Sequence, residues 1–264
     1  MLSSYVYYIL IVLFGLAVGS FLNVIILRFD ELKTIWLSRS HCPKCQRQLG
    51  WRDLIPFFSY ILLWGKCRYC KKPISYQYPI VEGFTGLIFG IIYWQYGFSW
   101  EALILAIIIS IMIVIATYDL LHSEIPDALS YLAIFFSLGL IFYRLAFNGH
   151  LNYSGDYISY GYAILIGGGF LGLLVLASRE KWMGRGDILL GVLMGLLLSF
   201  PNVLTGMFIA FVLGSIVGLA LIAGKYKTLK DAVPFGPFLI LGTLVAFFWG
   251  GELINLYFKY LGIL

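Results

Sequence analysis

The chain has 264 residues, of which 61% are hydrophobic and only 12% charged, and its mean hydropathy is +0.92. Soluble domains carry about 45–50% apolar and about 25% charged residues, so a water-soluble globule is excluded. Disorder fails for the same reason, and 29 Gly without a period of three and only 4 Cys exclude collagen-like and disulfide-scaffold chains.

What remains is an all-α polytopic membrane protein. In chain order the apolar runs predict about eight transmembrane helices: Tyr5–Leu27, Tyr78–Trp94, Ala102–Tyr118, Ala128–Phe147, Tyr157–Ala177, Asp187–Phe200, Val203–Ala223 and Phe238–Leu256. The sixth is the shortest. The strip Leu54–Trp64 is apolar but too short to cross, and is expected to be buried or interfacial. The first run has no basic residue before it, and Arg28 follows it, so it reads as a permanent anchor rather than a cleaved signal peptide.

Charge predicts the orientation. Of the 18 Lys and Arg, ten lie between the first two spans, three at Arg179, Lys181 and Arg185, and three at Lys225, Lys227 and Lys230. With eight spans all three loops share one side, which the positive-inside rule makes cytosolic. The net charge of +5 is then accounted for by this bias and by anionic lipid, with no nucleic acid partner. Glycines four residues apart recur in the spans, at Gly15 and Gly19, Gly86 and Gly90, Gly168 and Gly172, Gly191 and Gly195, and Gly214 and Gly218. Small residues at that spacing let helix backbones approach closely. The run Gly167–Gly168–Gly169 is mid-span and is read the same way, not as a phosphate loop.

All four cysteines lie in the long basic loop, as Cys42-Pro-Lys-Cys45 and Cys67-Arg-Tyr-Cys70. Two such pairs can present four thiolates to one tetrahedral zinc, and four Cys close the coordination shell, which makes the role structural. The gap between the pairs is slightly longer than usual for a zinc ribbon. Surrounding Lys and Arg favour the thiolates. Free or redox-active thiols are the alternative, and His41 could compete as a ligand.

Carboxylates at bilayer depth are costly and are functional candidates by default. Asp119 closes the third span and Asp187 opens the sixth, in Gly184-Arg185-Gly186-Asp187. Both are expected at the cytosolic membrane edge. Two carboxylates that approach closely share one proton. One can then activate a water while the other protonates a carbonyl, which is peptide hydrolysis without a covalent intermediate. Gly184 and Gly186 would permit unusual backbone angles and close approach of a substrate strand. The plainer reading makes Asp187 a cap for its helix. Asp127, after Ile125-Pro126, is expected to cap the next helix and brace the loop from Asp119. Glu101, Asp156 and Glu252 read as solvated on the outer side.

The ordered set of blocks resembles the type IV prepilin peptidase family, bifunctional membrane aspartyl proteases and N-methyltransferases of bacteria. The blocks are Gly19-Ser20-Phe21-Leu22-Asn23, Ser38-Arg39-Ser40-His41-Cys42, Trp51-Arg52-Asp53-Leu54-Ile55-Pro56, Ile74-Ser75-Tyr76-Gln77-Tyr78-Pro79, Val81-Glu82, Ile125-Pro126-Asp127, Gly184-Arg185-Gly186-Asp187 and Pro234-Phe235-Gly236-Pro237-Phe238. The resemblance implies Asp119 and Asp187 as the catalytic pair, with Asp127, Gly184 and Gly186 in support. It implies a prepilin or pseudopilin substrate, cut after a glycine at the cytosolic face and then methylated on its new amino group from S-adenosylmethionine. It also implies a role in type IV pili, protein secretion or DNA uptake, and location in the bacterial inner membrane. Leu189 departs from the family, which often has a lysine there.

Asn23, Arg39, Trp51, Asp53 and Glu82 are candidates for the methyltransferase half, although residues 28–77 hold no glycine-rich nucleotide fingerprint. Asp53 could instead cap the apolar strip, and Glu82 could pair with a loop cation. The expected organisation is an anchor at 1–27, a cytosolic zinc-binding domain at 28–77 and a protease domain at 78–264. Two other classes compete: a transporter driven by intramembrane carboxylates, and a zinc-knuckle membrane adaptor without activity.

Overall fold

The computed structural model describes residues 2–29, 40–148, 157–228 and 233–262. Lys33, Arg39, Asp156 and Lys230 lie outside the described residues. Among those described there is no strand; two isolated bridges, His41 with Gln48 and Lys66 with Pro73, are the nearest approach to one.

The helices follow the apolar runs. α1 is Leu2–Leu27, and after the cysteine loop with its 3₁₀ turn Trp51–Asp53 comes the short α2, Phe58–Leu62. α3 is Gln77–Tyr96, α4 Trp100–His122, and α5 Asp127–Tyr143, which continues into a π turn at Arg144–Asn148. The next span is broken into α6, Tyr157–Ile164, a π turn at Leu165–Gly169 and α7, Phe170–Ser178. α8 is Arg185–Leu198, α9 Asn202–Ala223 and α10 Gly236–Tyr260. In lipid the backbone must bond within its own segment, which explains why nearly every apolar run is helix.

Six of these spans are long and apolar enough to cross a bilayer: Tyr5–Leu27, Trp100–His122, Asp127–Phe147, Ile158–Ser178, Asn202–Ala223 and Gly236–Tyr260. The expected count of eight is therefore approximate. α3 has 20 residues, about 30 Å of helix, but Glu82 and the Tyr, Trp and Gln at its ends dilute its apolar character. α8 has only 14 residues, about 21 Å, well short of a hydrocarbon core of about 30 Å. It is buried along most of its length, so protein rather than lipid surrounds it.

The chain divides into two compact units, Met1–Val114 and Ile115–Leu264. In the first, α1 lies against α3 through the predicted glycines. A methyl on Gly19 would stand 2.7 Å from the Glu82 Cα, and one on Gly15 would stand 2.9 Å from the Gly86 Cα. In the second unit Gly191 abuts the Gly167 backbone, and a methyl on Gly195 would meet the Ile164 nitrogen at 2.6 Å. Gly167 and Gly168 of the mid-span run are thus a packing surface for α8, while a methyl on Gly169 would meet nothing within 4 Å. Gly172 and Gly218 depart from the expectation, because nothing lies within 4 Å of a methyl built on either.

Other local readings change as well. Glu101 is buried rather than solvated, because a residue at a span's end can still be covered by its neighbours. Arg144, at the end of α5, is buried too. The strip Leu54–Trp64 is not buried: no residue of α2 is.

Candidate functional site

Three groupings of polar side chains stand out, two in the first unit and one in the second. The first is the cysteine cluster. Cys42, Cys45, Cys67 and Cys70 place their sulfurs within 4.8 Å of one another, with Cys42 and Cys70 at 4.0 Å. Sulfurs around a zinc at about 2.3 Å would stand roughly 3.8 Å apart in a tetrahedron, so the donor set fits that ion.

Each pair sits in the same small fold, repeated 25 positions along. Gln46 N–H bonds the Cys42 carbonyl at 2.8 Å and Lys71 N–H bonds the Cys67 carbonyl at 2.9 Å. Both residues have positive φ, 57° and 59°. Cys42 N–H reaches the Arg47 carbonyl at 3.0 Å, and Cys67 N–H reaches that of Lys72 at 2.9 Å. The backbone therefore turns each pair of sulfurs inward before any metal is considered. Burial opposes ionisation of Cys42, but the backbone at Cys45 and Lys44 and the neighbouring thiols outweigh it and hold its thiol down to about 7. At Cys45 the backbone at Arg47 favours the thiolate, yet burial and the neighbouring sulfurs of Cys42 and Cys70 push it up to about 11. Four sulfurs this close cannot all ionise without a cation between them.

The second grouping braces that loop. Asp53 accepts from Arg68 Nε at 2.6 Å, Gly50 N–H at 3.1 Å and Tyr69 Oη at 3.2 Å. Burial pushes its carboxyl up, but the Arg68 guanidinium, the Gly50 amide and the Tyr69 hydroxyl together hold it below the usual carboxylate range. Asp53 closes a capping box on the 3₁₀ turn, close to the capping role expected of it. Glu82 does not meet a loop cation; its Oε2 accepts the Phe57 backbone N–H at 2.7 Å. Asn23 is fully buried, donates to the carbonyls of Gly19 and Tyr78, and accepts from Gln77 Nε2 at 3.3 Å. Trp51 is exposed, with the Arg52 guanidinium 5.1 Å from the centre of its ring. Asn23, Asp53 and Glu82 are thus engaged with protein partners, and Trp51 alone of the described candidates offers a free face.

The third grouping is the aspartate pair. Asp119, on the last turn of α4, is 4% exposed, and Asp187, on the first turn of α8, is 5% exposed. Each gives one oxygen to a backbone amide at the start of a helix. Asp119 Oδ2 accepts from Gly236 N–H at 3.1 Å, the first residue of α10. Asp187 Oδ2 accepts from Gly184 N–H at 2.9 Å, the residue that precedes α8. The first amides of a helix lack intrahelical partners and carry the positive end of its dipole. Asp187 is therefore the third residue of its helix, reaching back, rather than the cap itself. Its other oxygen, Oδ1, is buried without a hydrogen-bond partner. The two carboxylates are close enough for their charges to interact.

Glycine is required beside both, for steric rather than conformational reasons. A methyl on Gly236 would stand 2.6 Å from Asp119 Oδ2, and one on Gly186 would stand 2.6 Å from Ile125 Cβ. Ile125 also reaches Gly236, where its Cδ1 would be 3.3 Å from the same methyl. It is wedged between the two helix starts. Gly184 has φ −86° and ψ 167°, an extended conformation open to any residue, so the unusual angles expected there are absent. Asp127 opens α5 without a side-chain capping bond, Pro126 taking the cap position. Leu189 is half-buried on α8. Nothing in the spacing of the sequence points to the contact of Gly236 with Asp119, although its Pro-Phe-Gly-Pro-Phe setting is conspicuous.

Comparison with known proteins fits this arrangement. Residues 13–96 match the model of the Bacterial Peptidase A24 N-terminal domain, and residues 106–219 match that of the Type IV leader peptidase family. A prepilin leader peptidase/N-methyltransferase of Legionella pneumophila is 32% identical, over 96% of this chain and 95% of the relative. The chain belongs to the prepilin leader peptidase/N-methyltransferase family. A Bacillus subtilis protein of the same name is 30% identical over 94% of this chain and 96% of its own length. One from Xanthomonas campestris is 29% identical over 94% and 93%. No solved structure matches the chain at a comparable level. The N-terminal family model takes in the four cysteines, Asn23 and Glu82, and the peptidase model takes in Asp119 and Asp187. Gly236 lies beyond both.

Proposed function

We propose that the protein removes the leader of type IV prepilins or pseudopilins with Asp119 and Asp187, then methylates the new amino terminus. The observation that carries the proteolytic half is the pairing itself: two buried carboxylates in electrostatic reach, each anchored by one oxygen, with Asp187 Oδ1 left unpartnered. In this reading the pair holds one proton. The ionised member takes a proton from water as the water adds to the scissile carbonyl. The protonated member gives its proton to the carbonyl oxygen. Collapse of the adduct then releases the amine, with the proton returned to it.

The division of labour follows the chain: an anchor at 1–27, a zinc-binding domain at 28–77 associated with methyl transfer, and the protease at 78–264. Cys42, Cys45, Cys67 and Cys70 would hold a structural zinc that ties the two halves of the loop together. S-adenosylmethionine supplies the methyl group. Asn23, Asp53 and Glu82 position the loop, and Trp51 is the exposed ring available to a ligand. Asp127, Gly184 and Gly186 support the protease site. The basic loops and the active site face the cytosol across the bacterial inner membrane.

The test uses purified protein and a prepilin in detergent. Asp119→Asn and Asp187→Asn should each leave the substrate uncut while still methylating a pilin supplied without its leader. Cleavage by either variant at a rate near that of the natural chain would end the proposal.

A further inference from the structure

Residues 54–64 read Leu-Ile-Pro-Phe-Phe-Ser-Tyr-Ile-Leu-Leu-Trp, an apolar strip in the middle of an otherwise polar, cationic loop. Buried in the loop, these side chains would form its core. Instead they face outward: Phe58, Ile61, Leu62 and Trp64 are all exposed, Leu62 at 75% and Trp64 at 88%. A strip this apolar is not left to water without a partner.

Its position along α3 says what the partner is. The Phe57 amide is bonded to Glu82, in the second turn of α3. The Phe57 ring lies where a methyl on Gly83 would come within 3.2 Å, and Pro79, Ile80, Phe84 and Leu87 line the same groove. Glu82 and Gly83 are five and six residues into the helix, so the strip is pinned roughly 8–9 Å below its start. Interfacial helices rest about 5–10 Å into the boundary between headgroups and acyl chains. The charges agree. Arg52, Lys66, Lys71 and Lys72 flank the strip and are exposed. The one acidic residue between Ser40 and Tyr76, Asp53, is already tied to Arg68.

We infer that Leu54–Trp64 is a monotopic anchor, lying in the plane of an anionic leaflet and seating the cysteine loop on the bilayer beside α3. The inference is independent of which residues perform the catalysis; it rests on α3 lying across the bilayer, for which its 20 residues are long enough although its ends are less apolar than those of the six spans above.

The full-length protein in nanodiscs tests this. Trp64→Phe, at a position too exposed to affect folding, isolates the emission of Trp64 by difference; zinc content confirms the loop is intact. Nitroxide lipids labelled near the headgroup end of the acyl chain should remove most of that emission, and acrylamide, an uncharged quencher in solution, should leave it. Replacing phosphatidylglycerol by phosphatidylcholine should weaken the lipid quenching and admit acrylamide. Free access of acrylamide in anionic nanodiscs would overturn the inference. So would protection that appears only after a prepilin is added, or only when two chains share a disc.

Discussion

Gly236→Ala isolates the positioning of Asp119 from its chemistry. The substitution keeps the backbone N–H that bonds Asp119 Oδ2 and adds one methyl, 2.6 Å from that oxygen. Ordinary contact begins near 3.4 Å, so the carboxylate or the start of α10 must give by about 0.8 Å. Overpacking on this scale costs about 1–3 kcal/mol of stability. A displacement approaching 1 Å in a catalytic group costs on the order of 100-fold in rate, or about 2.7 kcal/mol of activation free energy. The assay is single-turnover cleavage of a prepilin, run beside methylation of a pilin already cut. Cleavage should fall about 100-fold with methylation unchanged. Gly184→Ala is the control, since its methyl would stand 4.0 Å from Asp187 Oδ2 on an extended backbone, and it should cleave normally. If Gly236→Ala cleaves as fast as Gly184→Ala, the Asp119–Gly236 contact does not set the geometry of the site.

The remaining predictions concern the wedge, the metal and the loop. Gly186→Ala should abolish cleavage by collision with Ile125, at 2.6 Å, and Ile125→Ala in the same chain should restore much of it; independent, additive losses in the prepilin assay would contradict the wedge. Cys42→Ser or Cys67→Ser should lower bound zinc, measured by atomic absorption, and reduce methylation more than cleavage. Asp53→Asn should loosen the second cysteine turn at neutral pH, read by amide exchange at Arg68–Lys71. Because the Asp53 pKa is lowered on folding, its contribution is present above the unfolded value of about 3.9 and lost as pH falls through the folded one. The two proteins should therefore converge below about pH 4.

What was legible in the sequence divides along physical lines. Helices were readable because a run of apolar residues in lipid has few alternatives; α8, too short to cross, was still found from its composition. The cysteine cluster was readable because four thiols at paired spacing have few other uses, and the two aspartates because a carboxylate at a membrane edge is expensive. What their oxygens touch was not readable. Gly236 lies 117 positions from Asp119, and its contribution is a backbone amide, which every residue but proline carries. The partner of Glu82 is hidden for the same reason: it is the Phe57 backbone amide rather than a loop cation. Glu101 failed because position along a span does not determine burial.

Both aspartates take their orientation from amides at helix starts rather than from other side chains, and this shapes what can vary around them. A side-chain donor could be replaced by another of similar reach; a backbone donor stays when its own residue changes, so only bulk or a shift of the helix can disturb it. The residues that matter for aim are therefore those without side chains, Gly236 and Gly186, and the one that fills the space between them, Ile125. None of the three can donate or accept a proton through a side chain. With one oxygen of each carboxylate fixed by the fold, Asp187 Oδ1 is buried without a partner, and in the proposed mechanism it is the atom that meets water or substrate. Under that proposal the reactive edge of the pair is defined by the packing of α8 and α10 on the Asp119–Asp127 loop, and a shift of either helix start should lower proteolysis before it altered any ionisable group.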